Sequence, residues 1–321
     1  MRAIVISRYG PPDVLTIRDF PDPVPGPDDV LIRVRAFGLN HAEAYMRAGA
    51  WGEVAKITGI ECAGTVEHDP SGTLATGSSV IAILGGMGRT RDGSYAELVT
   101  VPATNVVPVS TSLSWTELVA VPETYATAWT ALHDNLNVQP GQRILVRGAT
   151  SALGQATVDL AVDAGAEVIA TTRSEERAPI LKELGAHEVA VDDGTLSDRY
   201  TGLDAVVDIV GNSVLRDSLR TVRARGRVCQ IGFLGGFAPV PDFDPIADLP
   251  TGVQLSFFAS AFVLGSPDYP LGDIPFADFI AKTERGELHA RPARTFAFGE
   301  IVDAHRLMET GRAGGKMVVA V

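Results

Sequence analysis

The sequence predicts an α/β protein in which a mainly antiparallel β domain precedes a domain built on a doubly wound parallel sheet. The chain has 321 residues, more than one hydrophobic core normally supports. Short β-rich runs separated by proline and glycine fill the first hundred residues, and helical and strand patterns alternate from about Ser114 onward. Repeated β-α-β units of this length are typical of a parallel sheet with helices on both faces.

The first domain is predicted from alternating strands such as VLIRVRA, which begins at Val30. Apolar residues there alternate with positions that include Arg33 and Arg35, so one face can be buried while the arginines face solvent. The segments ECAGTVEHD, SSVIAIL and GSYAELVTV continue this pattern, with glycine-rich turns between them. We therefore expect antiparallel strands joined by short loops in this part of the chain.

The second domain begins with the helical segment SWTELVAVPETYATAWTALHDNL, which Pro122 interrupts. Strands such as RILVRG, AEVIATTR and GRVCQIG then alternate with helices that include SEERAPILKELG and SVLRDSLRTVRARG. About sixty residues at the end are too few for a core of their own and are expected to pack onto the first domain. The predicted domains are residues 1–116, completed by 265–321, and residues 117–264.

Charge and cysteine content exclude several classes of function. Lys and Arg number 27 against 39 Asp and Glu, and this net charge of −12 opposes binding to nucleic acid or to anionic lipid. Cys62 and Cys229 have no ligand-like spacing, which argues against disulfides and thiolate-rich metal sites and favours the cytoplasm.

The start MRAIVISRYG lacks the apolar core of a secretory signal. The uncharged residues 249–267 contain prolines and glycines, which predict a buried strand with loops, and no membrane partner is expected.

The segment RILVRGATSALGQATVDLAVDAGAEVIATTR gives strand, tight turn, helix and strand in the order that a dinucleotide-binding fold requires. Backbone N–H groups of the turn, at the positive end of a helix, can hold a diphosphate. The residues assigned to this role are Gly148, Ala149, Thr150, Ser151, Ala152, Leu153 and Gly154. The motif departs from G-x-G-x-x-G, since Ala149 and Ala152 occupy two of the glycine positions. A tight turn with only a structural role is the alternative interpretation.

The end of the second strand of this unit predicts NADPH as the cofactor. Enzymes that use NAD place an acidic residue there, whereas this strand ends in Thr172, Arg173 and Ser174, with Arg177 one helical turn later. Two guanidinium groups and two hydroxyl groups suit a 2′-phosphate. The alternative is a helix start at Ser174 whose arginines are solvated or pair with the adjacent glutamates.

The whole chain resembles the zinc-independent quinone oxidoreductases of the medium-chain dehydrogenase/reductase superfamily. The likeness is carried by MRAIVISRYGPPDVL, PDPVPGPDDVLIRVRAFGLN, VPETYATAWTAL, GATSALGQATVDLA and GGKMVVAV. It implies a GroES-like catalytic domain, a Rossmann domain and a homodimer.

The same resemblance implies that the chain has no catalytic zinc. At the position of the first zinc ligand the chain has Asn40, and the Gly-His-Glu motif reads Gly59-Ile60-Glu61. Isoleucine cannot bind zinc, and Glu61 and Glu123 without imidazole or thiolate make a poor zinc site. The four-cysteine lobe of the zinc enzymes is absent, so we expect no metal.

By resemblance to the family motif in GLNHAEAYMRAG, Asn40 and Tyr45 are expected catalytic residues, and Asn40 is expected to lie near the nicotinamide. The third expected catalytic residue, Thr127 of ATAW, is implied to approach the nicotinamide from the other domain. Amide, phenol and hydroxyl groups can hydrogen-bond an oxygen on which charge develops. Glu43 replaces the usual aspartate and receives no catalytic role. The alternatives are purely structural roles: Asn40 as a turn residue, Tyr45 as a half-buried aromatic residue of a helix, and Glu61 as the partner of an arginine such as Arg47.

The remaining cofactor contacts are also implied by the resemblance. Strand ends on the carboxyl edge of the parallel sheet are expected to line the nicotinamide, with a C-terminal lysine closing the cleft. These residues are Val210, Gly211, Ile231, Gly232, Phe233, Phe258, Ser260 and Lys316. Asp192 stands where some relatives have a tyrosine against the adenosine phosphate, which counts slightly against NADPH.

The expected activity is hydride transfer from NADPH to a quinone or an α,β-unsaturated carbonyl compound, because such acceptors need no metal to polarise them. Two alternatives stay open from the sequence. One is an NADPH-binding sensor or scaffold protein with little turnover. The other is an enoyl-thioester reductase, which needs a basic entry surface for a carrier or coenzyme A; Arg89 and Arg91 in the glycine-rich loop can contribute to such a surface but are weak evidence for it.

Overall fold

The computed structural model describes all 321 residues, which form two compact units. The first unit comprises Met1–Glu123 and Ser260–Val321, and the second comprises Thr124–Ala259. The divisions fall after Glu123 and Ala259, whereas the sequence analysis placed them after residues 116 and 264. The hydroxyl of Ser260 donates to Glu123 Oε1 at 3.2 Å, which ties the start of the C-terminal segment to the end of the N-terminal one.

Fifteen strands and ten helices make up the two units. The strands are β1 (Arg2–Ile6), β2 (Leu15–Asp19), β3 (Asp29–Leu39), β4 (Glu61–His68), β5 (Ser79–Ile83), β6 (Leu98–Pro102), β7 (Val106–Pro108), β8 (Arg143–Arg147), β9 (Glu167–Thr172), β10 (Glu188–Val191), β11 (Leu203–Asp208), β12 (Val222–Gln230), β13 (Gln254–Phe257), β14 (Arg294–Ala297) and β15 (Met317–Ala320). The helices are α1 (His41–Ala48), α2 (Trp115–Leu118), α3 (Pro122–Thr130), α4 (Ala152–Asp163), α5 (Ala178–Glu183), α6 (Leu215–Thr221), α7 (Pro245–Asp248), α8 (Ser260–Val263), α9 (Phe276–Arg285) and α10 (Ile301–Glu309).

The first unit is built on a seven-stranded sheet and a separate hairpin of β1 and β2. The order of the large sheet is β14-β15-β3-β4-β5-β7, and β6 pairs with β3. All of these pairings are antiparallel except that of β14 with β15. Val318 of β15 lies opposite Gly38 of β3, so the C-terminal strand runs beside the segment that leads into α1.

The second unit contains a six-stranded sheet in the order β10-β9-β8-β11-β12-β13, with every pairing parallel. Its core includes Leu145, Ile169, Val206 and Val228, one from each of four neighbouring strands. Central strands of a parallel sheet are buried on both faces, which explains their near-continuous apolar sequences. This two-part α/β architecture confirms the predicted fold class.

Two details of the prediction are wrong. The helix predicted for SVLRDSLRTVRARG ends at Thr221, and strand β12 begins directly at Val222. The buried strand predicted within residues 249–267 is β13, but it lies at the edge of its sheet, and Phe257 is 58% exposed. An edge strand has a neighbour on one side only, so lack of charge did not imply burial here. None of the helices has the length and apolar character needed to span a membrane.

Candidate active site

A buried ion pair between Lys316 and Glu61 lies at the centre of the first unit's polar cluster. The two side chains are 5% and 0% exposed. Glu61 opens β4, and Lys316 directly precedes β15. A Cβ atom on Gly38 would stand 2.2 Å from Glu61 Oε1 and 2.8 Å from Lys316 Cε. Glycine at position 38 therefore makes the room in which this pair forms.

Asn40 joins the same cluster at the start of α1. Lys316 Nζ donates to Asn40 Oδ1 at 2.8 Å, and Asn40 Nδ2 donates to Glu61 Oε1 at 3.0 Å. The second acceptor for Asn40 Nδ2 is Glu43 Oε1, at 3.4 Å. Both amide N–H groups of Asn40 thus face carboxyl groups of the protein. Asn40 is predicted from the sequence to donate to a reacting oxygen, and in the structure its amide N–H groups are directed to Glu61 and Glu43.

Lys316 is the member of the cluster that retains a hydrogen-bond donor. An ammonium group has three N–H donors, and the chain provides acceptors for two of them, on Asn40 and Glu61. From the sequence, Lys316 is expected to contact the cofactor, and pairing of Glu61 with an arginine such as Arg47 is one of the alternatives. The structure instead gives Glu61 to Lys316, and the third N–H of this buried ammonium group is available to a ligand.

Glu43 is buried beneath this pair. Its Oε2 accepts the backbone N–H of Asn40 at 2.7 Å, and its Oε1 accepts that of Ile60 at 3.1 Å. Burial raises the pKa of Glu43 to about 8, against the opposing attraction of Lys316. Glu43 is therefore largely uncharged near neutral pH, and Glu61 is the carboxylate that neutralises Lys316. This local structural role agrees with the absence of a catalytic assignment for Glu43.

Glu123 and Ser260 extend the cluster on its other side. The backbone N–H of Glu123 donates to Glu61 Oε2 at 3.0 Å, and Ser260 Oγ donates to Glu123 Oε1 at 3.2 Å. Asn40, Lys316 and Ser260, three of the predicted site residues, are thus brought together in the first unit. Thr127 is buried in the second unit, on α3.

Tyr45 lies on α1, five residues after Asn40, and is half-buried. Its ring centroid is 6.4 Å from that of His41. Burial raises the pKa of the Tyr45 phenol, so this group keeps its proton over the physiological range. A half-buried tyrosine also fits the alternative of a simple helix aromatic.

Arg47 anchors α1 through a second buried network. Its Nη1 donates to His305 Nδ1 at 3.1 Å, its Nη2 pairs with Glu309, and its Nε donates to Gly10 O at 3.0 Å. Because Nδ1 of His305 accepts from the guanidinium group, Nε2 carries the proton and donates to Tyr95 Oη at 3.1 Å. Burial, with repulsion from Arg47, lowers the pKa of His305 to about 3.

We expect His305 to make the protein sensitive to acid. Its pKa falls from an ordinary 6.5 to about 3 on folding, so its contribution is complete above pH 6.5 and is lost as the pH falls toward 3. Between pH 7.5 and pH 5.0 the wild type should lose on the order of 2 kcal/mol of unfolding free energy through this group. Urea unfolding at both pH values should show a smaller loss for His305→Gln. His68→Gln, at an exposed position on β4, should behave as the wild type, and equal losses in all three proteins would contradict the assignment.

The glycine turn of the second unit leads from β8 into α4. Gly148 has a φ of +82°, a conformation that favours glycine, and Ser151 caps α4 by accepting the N–H of Gly154 at 3.0 Å. A Cβ atom on Gly154 would stand 2.4 Å from Gly148 O, so only glycine lets the helix start this close to the turn. The backbone N–H groups of Ala152 and Leu153 have no acceptor within the chain. Free N–H groups at a helix N-terminus suit an anion.

The other residues of the turn line the same bend. Ala149 is buried, while Thr150, Ser151, Ala152 and Leu153 are partly exposed. The hydroxyl of Thr171, on the next strand, accepts the N–H of Gly148 at 3.1 Å and so joins the turn to β9. The seven residues predicted to hold a diphosphate therefore form one continuous segment, from the carboxyl end of β8 to the first turn of α4.

The end of β9 presents the residues predicted to bind a 2′-phosphate. Thr172 Oγ1 accepts the N–H of Ser174 at 3.2 Å and donates to Ser174 O at 2.9 Å, which shapes the bend after the strand. Arg173 is exposed and makes no ion pair within the chain. The adjacent glutamates do not pair with Arg173, and an exposed arginine before a helical turn that starts at Ser174 also fits the alternative of a solvated arginine. Arg177 is half-buried at the end of the following turn.

Asp192, which counted slightly against NADPH, is occupied by a buried arginine. Arg147 Nε and Nη2 donate to the two carboxylate oxygens of Asp192 at 2.7 and 2.8 Å. Arg147 Nη1 also forms an ion pair with Asp217 Oδ2 at 2.8 Å and donates to Ser218 Oγ at 3.0 Å. A carboxylate that accepts two hydrogen bonds from a guanidinium group is fixed in place and partly neutralised. Arg147 therefore offsets part of the negative charge of Asp192, and it shares its own charge with Asp217.

The expected nicotinamide-side residues follow neighbouring strands. Val210 and Gly211 come after β11, and Ile231, Gly232 and Phe233 come after β12. A Cβ atom on Gly211 would stand 2.4 Å from Gly232 O, so the two loops are in close contact. Phe258 follows β13, and its N–H donates to Gln230 O at 3.0 Å. These five residues and Phe258 thus gather at the carboxyl edge of the parallel sheet.

Comparisons with known proteins agree with this geometry. Residues 26–111 match the alcohol dehydrogenase GroES-like domain family, and residues 152–270 match the family described as zinc-binding dehydrogenase. The quinone oxidoreductase of Mus musculus is 31% identical over 250 residues, which cover 73% of this chain and 74% of the relative. The chain belongs to the quinone oxidoreductase-like branch of the medium-chain dehydrogenase/reductase superfamily. The predicted family is thereby confirmed, and with it the expectation of an oxidoreductase enzyme.

Two further members or neighbours of the superfamily span the full chain. The 2-haloacrylate reductase of a Burkholderia species is 29% identical over 341 aligned positions, covering 99% of this chain and 98% of the relative. A mycobacterial protein solved in complex with NADPH has a TM-score of 0.86 and 25% identity, and the match covers 100% of both chains. The likeness is therefore to reductases as well as to quinone oxidoreductases.

The metal that the name zinc-binding dehydrogenase implies does not suit the residues of this quinone oxidoreductase-like chain. No group of three or more His, Cys, Asp or Glu side chains is arranged to hold a metal ion. The carboxylate that stands in the family's ligand motif, Glu61, is already neutralised by Lys316. A fixed ammonium group repels a divalent cation at the same carboxylate. Glu61 therefore binds the ammonium group of Lys316 and is not available as a zinc ligand.

Proposed function

We propose that this chain is a zinc-independent, NADPH-dependent reductase that transfers hydride to a quinone or an α,β-unsaturated carbonyl compound. The observation that carries the proposal is the buried Lys316 ammonium group, held by Glu61 and Asn40 with one N–H left for an acceptor oxygen. Relatives described as quinone oxidoreductase and 2-haloacrylate reductase support the substrate class. The mycobacterial structure complexed with NADPH supports the cofactor.

The residues of the second unit fit NADPH. The free N–H groups of Ala152 and Leu153 would hold the diphosphate, and Arg173 would pair with the 2′-phosphate. When bound, NADPH supplies the hydride that reduces the acceptor, which takes up one proton from solvent. Because Gly211 and Gly232 have no side chains, the loops after β11 and β12 pack closely together, and we propose that this leaves room for the ring at the edge of the sheet.

Lys316 performs the task that a metal ion has in the zinc enzymes of the superfamily. Its free N–H hydrogen-bonds the acceptor oxygen, and the bond strengthens as negative charge develops on that oxygen. Glu61 keeps the ammonium group in place, and Asn40 fixes its direction through Oδ1. Tyr45 and Thr127 are proposed to complete the contacts to acceptor and nicotinamide.

The test of this function is NADPH oxidation, followed by absorbance, with a panel of quinones and enones. We expect turnover with several members of the panel, and we expect the rate to survive prolonged treatment with a metal chelator because no step needs zinc. Tight NADPH binding without turnover on any acceptor would favour a sensor or scaffold protein instead. An enoyl-thioester reductase stays an alternative, but Arg91 pairs with Asp29 at 2.8 Å and is not available to a thioester carrier.

The same measurements test the cofactor through Arg173→Ala. We expect the Kd of NADPH to rise about tenfold, which corresponds to about 1.4 kcal/mol, and the Kd of NADH to stay unchanged. A fluorescence titration of both nucleotides measures the difference. Arg199→Ala is the matched control, since Arg199 is an exposed arginine of the same unit. Equal weakening of NADPH and NADH by Arg173→Ala would count against phosphate recognition by this residue.

We further propose a cytoplasmic homodimer joined through the edge of the six-stranded sheet. Strand β13 has an unpaired edge, and Leu255 and Phe257 on it are 37% and 58% exposed. Pairing of two such edges would cover these side chains and satisfy the free backbone groups. Cys62 and Cys229 are free and buried, which suits a reducing compartment. The net charge of −12 supports a small-molecule substrate rather than nucleic acid.

A further inference from the structure

Arg89 is a half-buried arginine in the glycine-rich loop between β5 and β6. Its Nη1 donates to Ala261 O, and its guanidinium carbon lies 4.1 Å from the ring centroid of Phe262. The backbone oxygen of Arg89 accepts the N–H of Ala55 at 2.9 Å. Both ends of this residue are therefore held in place, which sets it apart from a mobile surface arginine.

No carboxylate of the chain pairs with Arg89. Three other arginines that are buried or half-buried have acidic partners: Arg91 pairs with Asp29, Arg47 with Glu309, and Arg147 with Asp192. Desolvation lowers the pKa of Arg89, because no carboxylate offsets the cost of burial. Arg89 is therefore held in place by its contacts while its charge has no acidic partner in the chain.

Two aromatic side chains flank this charge. Phe262 is 65% exposed, and Trp51 is half-buried with its ring centroid 6.4 Å from that of Phe262 and an interplanar angle of 29°. We call Trp51, Arg89 and Phe262 the Arg89 shelf. A large exposed aromatic surface around a fixed charge is costly to maintain in water and is characteristic of a binding surface.

The Arg89 shelf is joined to the Lys316 cluster through the chain itself. Phe262 follows Ser260 by two residues on α8, and Ser260 donates to Glu123, whose N–H donates to Glu61. The shelf and the ammonium group are thus fixed to one another by a short series of hydrogen bonds within the first unit.

We propose that the Arg89 shelf binds an anionic group on a planar, conjugated acceptor, such as a carboxylate attached to the reducible system. The inference rests on the proposed reductase function and names its substrate class more closely. Arg89 has five N–H donors and uses one on Ala261, so donors are left for a carboxylate. Trp51 and Phe262 offer the planar part of the same molecule an apolar contact surface.

A pair of acceptors that differ in one anionic group tests the proposal: 1,2-naphthoquinone and its 4-sulfonate. We expect Arg89→Gln to raise the KM of the sulfonate about tenfold while the KM and kcat of the neutral quinone stay near those of the wild type. Equilibrium binding of the sulfonate, followed by tryptophan fluorescence, should weaken by the same factor. Arg18→Gln, at an exposed position on β2, is the charge-matched control and should change neither acceptor.

The outcomes separate this inference from the proposed function. Failure of both quinones to oxidise NADPH would count against the reductase, yet sulfonate binding that depends on Arg89 would still support the shelf. If Arg89→Gln reduces both acceptors and the KM changes equally for the two, or changes for neither, the shelf does not bind the anionic group. That result would leave the proposed reductase function intact. Arg89→Lys keeps the charge but loses the planar group, and we expect it to recover part of the sulfonate binding. If Arg89→Gln is poorly folded, recovery in Arg89→Lys decides the question.

Discussion

Replacing Lys316 by methionine is expected to abolish measurable quinone reduction and to lower the free energy of unfolding by about 3 to 5 kcal/mol. The stability loss follows because Glu61 is 0% exposed and would be left as a buried carboxylate without its cation. The loss of activity follows because no other N–H donor of the cluster is free, since both amide N–H groups of Asn40 face carboxyl groups. Urea unfolding and the rate of NADPH oxidation measure the two effects.

The double variant Lys316→Met with Glu61→Gln separates catalysis from stability. Removing both charges takes away the uncompensated carboxylate, so we expect most of the unfolding free energy to return. Turnover should stay absent, while NADPH binding by the second unit should match that of the wild type. Recovery of turnover together with stability would show that Lys316 only supports the fold, and normal turnover in Lys316→Met alone would remove it from the mechanism.

Much of the fold is predictable from the sequence because its patterns are local. The alternation in VLIRVRA marks β3, and the succession from RILVRG to AEVIATTR marks β8, α4 and β9 within a few residues. The sequence predicts strand β13 in the right segment, but the prediction that this strand is buried is wrong. Its exposure depends on its position at the sheet edge, and no local pattern encodes that position.

The Lys316 cluster escaped the sequence analysis because its charged partners are far apart in the chain. Glu61 and Lys316 meet because β15 pairs with β3 and β3 pairs with β4. A signal was present, since Lys316 precedes the apolar strand MVVAV and Gly38 lies in the opposing strand. A lysine next to an apolar strand is rarely buried without a carboxylate partner, so this position predicts such a partner from a neighbouring strand.

Asp192 shows the opposite limit of sequence reasoning. The sequence suggested a free acid near a phosphate site, whereas Arg147, at the end of β8 and two strands away in the sheet, donates two hydrogen bonds to its carboxylate. Arg147 directly precedes Gly148, so the residue that offsets part of the unfavourable charge also ends the strand that carries the glycine turn. The preference for NADPH that we propose therefore depends on this buried contact as well as on Arg173.

Replacing Gly154 by alanine is expected to weaken NADPH binding by about a hundredfold and to destabilise the second unit by about 2 kcal/mol. The added Cβ would stand 2.4 Å from Gly148 O and 2.6 Å from Ala149 Cα, and both of these are backbone atoms. Overpacking against backbone forces the helix and the turn apart, at a typical cost of about 1 to 3 kcal/mol. That shift also moves the free N–H groups of Ala152 and Leu153 away from the turn, so the diphosphate would lose its donors.

A nucleotide titration and urea unfolding of Gly154→Ala measure these effects. Gly299→Ala is the matched control, because a Cβ atom there would meet nothing within 4 Å and its backbone has no positive φ. We expect the control to bind NADPH and unfold as the wild type does. Unlike Arg173→Ala, Gly154→Ala should weaken NADH as strongly as NADPH, since the diphosphate is common to both. Retention of nucleotide binding in Gly154→Ala would show that the turn does not hold the diphosphate, and the second unit would then need another cofactor site.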